Sequence, residues 1–83
     1  MKVSVYSTTT CPYCVMLKKW LNEKNVEFED FMIDRDSAAA KKMVELSGQM
    51  GVPFTTVENE NGETHGVLGY DRATLSHLLG MSA

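Results

Sequence analysis

The chain predicts an α/β fold: a four-stranded mixed sheet flanked by three helices, in the order βαβαββα. Three observations carry the prediction. A short alternating run, Lys2 to Tyr6, leads directly into a longer run whose apolar residues recur at spacings of three and four. A second strand-like run and a second helical run follow. The strand–helix–strand start therefore reads as a right-handed parallel crossover unit. Near the C-terminus, Asn61-Gly62 separates two further strand-like runs, and Asn-Gly is the sharpest short-range hairpin signal. The hairpin adds two antiparallel strands, a third helical run closes the chain, and helices cover both faces of the sheet.

Each element has a local justification. In the first strand, Lys2 to Tyr6, burial falls on Val3 and Val5 or on Tyr6. The first helix is expected from Pro12 to about Lys24. Proline suits the first helical position, where no N–H donor is needed and its φ is already helical. Cys14, Leu17 and Leu21 lie at helical spacing with Trp20 beside them, and Asn22 to Asn25 ends the run. Val26 to Ile33 reads as the second strand, with Val26, Phe28, Phe31 and Ile33 inward. Asp34 to Ser37 offers N-cap chemistry for the second helix. Ala39, Met43, Leu46 and Met50 form its apolar series, and Gly48 is a natural stop. Met16, Met43 and Met50 are read as core filler. Phe54 to Val57 is the third strand, residues 58–62 the turn, and Glu63 to Leu68 the fourth strand. Asp71 caps the last helix, with Leu75, Leu78 and Leu79 on its apolar face. Tyr70 and Leu75 are spaced as a hydrophobic staple, and Gly80 ends the helix.

Composition bounds the rest. Eighty-three residues make a single domain, residues 1–83. A chain of this size buries only about 60% of its unfolded surface, so its core is small. No apolar run approaches the ~18 residues of a membrane span. The N-terminal residues show no secretory apolar segment, and together with the cysteine usage this sets the expectation of a reducing cytoplasm. A net charge of −3 without a basic cluster sets nucleic acid aside as a partner.

The chemistry centres on Cys11-Pro12-Tyr13-Cys14, which contains the chain's only two cysteines. A CxxC at a strand-to-helix junction reads as a redox pair. Cys11 falls at the helix N-cap, where unpaired backbone N–H groups and the positive end of the helix dipole favour thiolate over thiol. Cysteines so placed titrate at roughly 3.5–7.5 rather than ~8.5. The thiolate is the attacking species in disulfide exchange. Cys14, one turn further in, should be more buried and less ionised, placed to attack a mixed disulfide formed on Cys11. A purely structural disulfide here would close a very small loop and add little stability. A zinc half-site is the other alternative. It lacks a second CxxC, and His65 and His77, read as surface residues, would have to supply ligands from other elements. No metal is therefore expected.

The stretch Tyr6 to Cys14 resembles the active-site segment of glutaredoxins, a family of thioredoxin-like fold, which typically ends in Cys-Pro-Tyr-Cys. Gly51-Val52-Pro53-Phe54 resembles the family's Thr-Val-Pro segment. Leu68-Gly69-Tyr70-Asp71 resembles its glycine-rich turn before the last helix. The three motifs occur in family order across essentially the whole chain, and Ser47 to Pro53 is most similar to a small bacterial and archaeal glutaredoxin-like subgroup. The resemblance implies a dithiol–disulfide oxidoreductase with Cys11 and Cys14 catalytic. It implies a cis Val52–Pro53 bond facing the cysteines, with Val52 offering its backbone to a substrate strand. It implies further substrate or glutathione contacts at Thr8, Pro12, Tyr13, Gly69, Tyr70 and Asp71. No bound cofactor is implied. Disulfide-containing proteins are the implied substrates, glutathione the implied reductant or co-substrate, and the protein is expected to act as a monomer.

Two departures modify this. Thr8 stands where glutaredoxins commonly carry a glutathione-binding lysine, for which Lys41 or Lys42 is the candidate replacement. Only Asp71 matches the acidic pair that often opens the last helix; Arg72 follows it. The alternatives are an NrdH-like redoxin reduced by thioredoxin reductase and a carrier that holds an iron–sulfur cluster with glutathione.

Overall fold

The computed structural model describes residues 1–80. Its elements are β1 (Lys2–Ser7), α1 (Pro12–Glu23), β2 (Glu29–Met32), α2 (Ser37–Ser47), β3 (Phe54–Glu58), β4 (Thr64–Leu68) and α3 (Arg72–Leu78). The strands lie in the order β2-β1-β3-β4. β1 pairs in parallel with β2 across the α1 crossover, Ser7 opposite Met32. It pairs antiparallel with β3, Tyr6 opposite Phe54, and β3 pairs antiparallel with β4 through the hairpin. This is the thioredoxin-like βαβαββα arrangement. Among the described residues no helix is long and apolar enough to cross a membrane.

Because successive strand side chains point to opposite faces, β1 feeds two cores. Val3 and Val5 join Val57 and Val67 beneath Leu17, Trp20 and Leu21 of α1 and Leu75 of α3. Tyr6 and Phe54 face the other way, against Ala39 and Met43 of α2. The Tyr6 ring stacks on Phe31 with centroids 5.2 Å apart. Tyr70, Leu78 and Leu79 pack from the margin against the first core, of which Leu75 is a member.

The expected second strand is too long, and the cap of α1 explains why. Asn25 adopts φ +58°. Its N–H donates to the Asn22 carbonyl at 3.1 Å, and the Val26 N–H returns to the Leu21 carbonyl at 2.9 Å. These two bonds are the Schellman ending of a helix, in which the residue after the left-handed one makes an apolar contact back to the last turn. The apolar character of Val26 thus serves the helix end, and pairing begins only at Glu29. The apolar series proposed for α2 also breaks. Ala39 and Met43 are buried, but Leu46 and Met50 are exposed. Gly48, at φ +72°, stops the helix and donates its N–H to the Val44 carbonyl at 2.8 Å, so Met50 lies beyond the helical phase. Met16 is exposed too; of the three methionines read as filler only Met43 is core.

Candidate active site

The loop that joins β1 to α1 sits at the end of the sheet where β1 and β2 both terminate. Asp34, which follows β2, fixes it from the side: its Oδ2 accepts the Thr9 amide N–H at 3.1 Å and the Thr9 hydroxyl at 2.5 Å. Those two bonds hold the Asp34 carboxyl below the usual carboxylate range. The fixed loop delivers Cys11 to the N-cap of α1, with extended backbone (φ −95°, ψ 110°) and Pro12 at the first helical position.

At that cap the Cys11 Sγ accepts the Cys14 backbone N–H at 3.2 Å. A sulfur thus takes the place of the oxygen that usually caps a helix. Both cysteines are free thiols; Cys11 is half-buried and Cys14 is wholly covered. Burial, followed by the hydrogen bond to Cys11, pushes the Cys14 thiol up to about 12, while the Thr8 amide N–H and the Lys18 charge act in the opposite sense. The pair is therefore asymmetric: one accessible sulfur facing backbone donors, one sequestered sulfur held protonated by its surroundings.

The Val52–Pro53 bond is cis, as the resemblance implies. The Val52 carbonyl lies 3.9 Å from the Cys11 Sγ and accepts its weak S–H donor. Pro53 is buried, and its carbonyl accepts the Gly69 N–H at 2.8 Å, which ties the glycine turn to the proline loop. Gly69 itself takes φ +85°, a conformation that disfavours any side chain. Cys11, Cys14, the Thr8 amide, Val52, Pro53 and Gly69 are thus linked into one site. Pro12 and Tyr13 are its exposed neighbours on α1. Tyr70 is half-buried, with the Arg72 guanidinium 5.4 Å above its ring. The Asp71 carboxylate turns back on its own helix, accepting the Thr74 N–H at 3.1 Å and the Thr74 hydroxyl at 2.7 Å. Lys42, a candidate for the missing lysine, lines a small cavity with Lys2, Ser4 and Glu58 at the far end of β1 from the cysteines.

Two features escaped the sequence reading. The first is an apolar rim. Tyr13 and Met16 on one side and Met50 and Leu68 on the other are all exposed. Leu68 lies next to Gly51, where an added Cβ would meet its Cδ1 at 3.4 Å. The signal was present in a Gly-Val-Pro loop preceded by Met50, but helical periodicity assigned that methionine elsewhere. The second is a charged cluster about Lys18, one helical turn after Cys14, formed with Asp30, Ser7 and Met32. Its signal was a lysine four residues after Cys14, on the stripe that otherwise buries Leu17 and Leu21.

The comparisons agree with this geometry. A family model described as Glutaredoxin matches residues 3–60. Glutaredoxin 3 of Escherichia coli strain K12 is 39% identical over 59 residues, covering 71% of each chain. The glutaredoxin-like protein NrdH of Lactococcus lactis strain IL1403 is 35% identical over 57 residues, 69% of this chain and 78% of that one. Among solved structures, a variant of the thioredoxin-like protein BC3987 superposes with a TM-score of 0.84 at 30% identity, covering 98% of this chain and 97% of the other. The fold, the cysteine pair at the start of α1 and these matches together mean that the chain belongs to the glutaredoxin family and is a thiol–disulfide oxidoreductase.

Proposed function

We propose that the protein reduces disulfides in other proteins, and mixed disulfides with glutathione, through its Cys-Pro-Tyr-Cys pair, acting as a monomer in a reducing cytoplasm. The observation that carries the reading is the asymmetry of the two thiols. Cys11 is accessible at a helix N-cap with a backbone N–H on its sulfur, while Cys14 is enclosed one turn behind it. The Cys11 thiolate attacks the substrate disulfide, forms a mixed disulfide and expels the first substrate thiolate. Cys14 then loses its proton and attacks the Cys11 sulfur, which releases the second substrate thiolate and leaves the Cys11–Cys14 disulfide. The substrate gains two electrons, the protein loses two, and the departing thiolates take up protons. Pro12, Tyr13, Val52, Pro53 and Gly69 form the walls against which a substrate segment lies, with the Val52 backbone pairing as an added strand would. Thr8, Tyr70 and Asp71 border the glutathione position. No prosthetic group enters the cycle.

Glutathione is the proposed reductant. Reduction by a flavoprotein thioredoxin reductase is favoured by one observation: position 8 bears no cation, and the fixed charge beside the loop is the Asp34 carboxylate, which repels a glutathione carboxylate. Oxidised protein incubated with glutathione, and separately with NADPH and thioredoxin reductase, decides the matter by the rate at which free thiols appear. Thiols appearing only in the second reaction would remove glutathione from the cycle.

A further inference from the structure

Cys14 is a poor nucleophile where it lies. It is fully buried, and its thiol is held far above the ordinary range by that burial. Yet the second half of the exchange requires its thiolate. Something in the fold must lower the barrier to losing that proton, and the helix itself supplies a cation. Lys18 follows Cys14 by one turn, so the two side chains share a face of α1. Its side chain is only 21% exposed.

Lys18 is held there by three contacts. Its Nζ donates to Asp30 Oδ2 at 3.0 Å and to Ser7 Oγ at 3.3 Å, and it approaches Met32 Sδ at 3.9 Å. Ser7, itself fully buried, completes the ring by donating to Asp30 Oδ1 at 2.9 Å. The register explains the convergence. Val5 is opposite Asp30 and Ser7 opposite Met32, so all of these residues point from the sheet to the α1 face. The cradle spans the margin of the core: Ser7 is fully buried and Lys18 largely covered, while Asp30 lies on the exposed outer strand and anchors the ammonium from that side.

We propose that Lys18, anchored by Asp30, Ser7 and Met32, is the positioning residue that makes Cys14 competent to resolve the mixed disulfide. Its ammonium stabilises the Cys14 thiolate as the proton departs to solvent; the electron pair left on Cys14 forms the bond to Cys11 Sγ, and the bond from Cys11 to the substrate sulfur breaks. Lys18 keeps its own proton throughout.

The other groups around Cys14 leave this role to Lys18. On α1 only Cys11 also acts on it, and raises it. The β1–α1 loop contributes the neutral Thr8 amide. β2 contributes Asp30, already paired with Lys18, and Asp34 beyond β2 is bound to Thr9. β4 and α3 present Val67 and Leu75 to this core, while Asp71 and Arg72 are turned to Thr74 and Tyr70.

The inference rests on Cys14 being the resolving residue, and one experiment separates the two claims. An aromatic disulfide such as Ellman's reagent releases one coloured thiolate when Cys11 attacks and a second when Cys14 resolves the adduct. In Cys14→Ser the second release must vanish; if it persists, the assignment of Cys14 falls whatever Lys18 does. In Lys18→Met, which keeps the apolar stem, the pH profile of the second release should move up by about one pH unit, making it roughly ten-fold slower below the midpoint. The first release should stay within about two-fold of wild type, since Cys11 faces backbone donors rather than Lys18. Lys18→Arg should restore the profile. A second release whose profile does not move in Lys18→Met, or one that shifts together with the first, overturns the proposal.

Discussion

At the scale of single residues, the division of labour between two chemically identical thiols is set by depth and by which backbone groups each one meets. Iodoacetamide at mildly acidic pH should therefore modify Cys11 first, and Cys11→Ser should abolish disulfide reduction. Mass mapping that found the label first on Cys14 would reverse the assignment. Thr8 controls a finer property. A lysine there would bring a charge-assisted hydrogen bond to a glutathione carboxylate, and exposed pairs of this kind contribute about 0.2–1 kcal/mol after screening. Thr8→Lys should raise glutathione-dependent turnover by a few-fold, with the gain shrinking at high salt. Turnover independent of this substitution would show that position 8 is remote from the bound tripeptide. Thr55 illustrates a residue that is fully buried to no visible benefit: its hydroxyl oxygen has no hydrogen-bond partner among the described residues. A buried polar group left unsatisfied costs about 1–3 kcal/mol. Thr55→Val keeps the shape and removes that penalty, so the melting temperature should rise by several degrees, about 4–8 °C per kcal/mol for a domain of this size. A fall in melting temperature would mean that the hydroxyl is satisfied in solution.

At the scale of elements, the ends matter more than the middles. α1 begins on a cysteine cap and a proline, and ends on a left-handed Asn25 whose neighbour Val26 closes the last turn. α2 begins where Asp36 Oδ1 accepts the N–H groups of Ala38 and Ala39, both at 3.1 Å. The hairpin between β3 and β4 turns on Asn59, whose side-chain oxygen accepts the N–H groups of Asn61 and Glu63, each at 3.0 Å, with Gly62 at φ +84°. The most constrained point in a strand is Gly66 of β4. A Cβ there would lie 2.6 Å from Phe54 Cζ and 2.9 Å from its Cε1. The Phe54 ring in turn packs on Tyr6, with centroids 6.2 Å apart, in the core under α2. Gly66→Ala should therefore displace that ring and lower stability by about 1–3 kcal/mol, the usual penalty of overpacking. A urea midpoint equal to wild type would show that Phe54 moves aside freely.

At the scale of the whole molecule, a small domain has hidden a nucleophile in its main core, and this links redox state to alkaline stability. Cys14 and Tyr6 both have pKa values raised by burial, from ordinary values of 9.0 and 10.0. A group raised in the folded state contributes fully below its unfolded value, and that contribution is lost as pH climbs towards the folded value. Reduced protein should lose melting temperature from about pH 9 upward, towards the folded Cys14 value of about 12. The oxidised form has no Cys14 thiol, so its decline should begin later, near the ordinary tyrosine range. Parallel decline of the two forms would show that Cys14 is not the group responsible. How this architecture was legible follows from the same physics. Element order, the caps at Cys11 and Asp71, the stop at Gly48 and the redox pair were readable because each depends on residues within one or two turns of one another. Helical period and cap chemistry are local. The start of β2, the exposure of Met50 and the cluster of Lys18 with Asp30, Ser7 and Met32 were not readable. Each depends on which strand lies beside which, and in what register. Lys18 is separated from Asp30 by an entire helix end and turn, and only the parallel pairing of β1 with β2 brings them to one side of the sheet. The sequence alone determined that two thiols stand at the head of a helix. The helix position also marked the second thiol as the inner one; the tertiary structure completed its enclosure and fixed the lysine one turn further along against Asp30 and Ser7, because full burial and charge pairing arise only when distant segments pack.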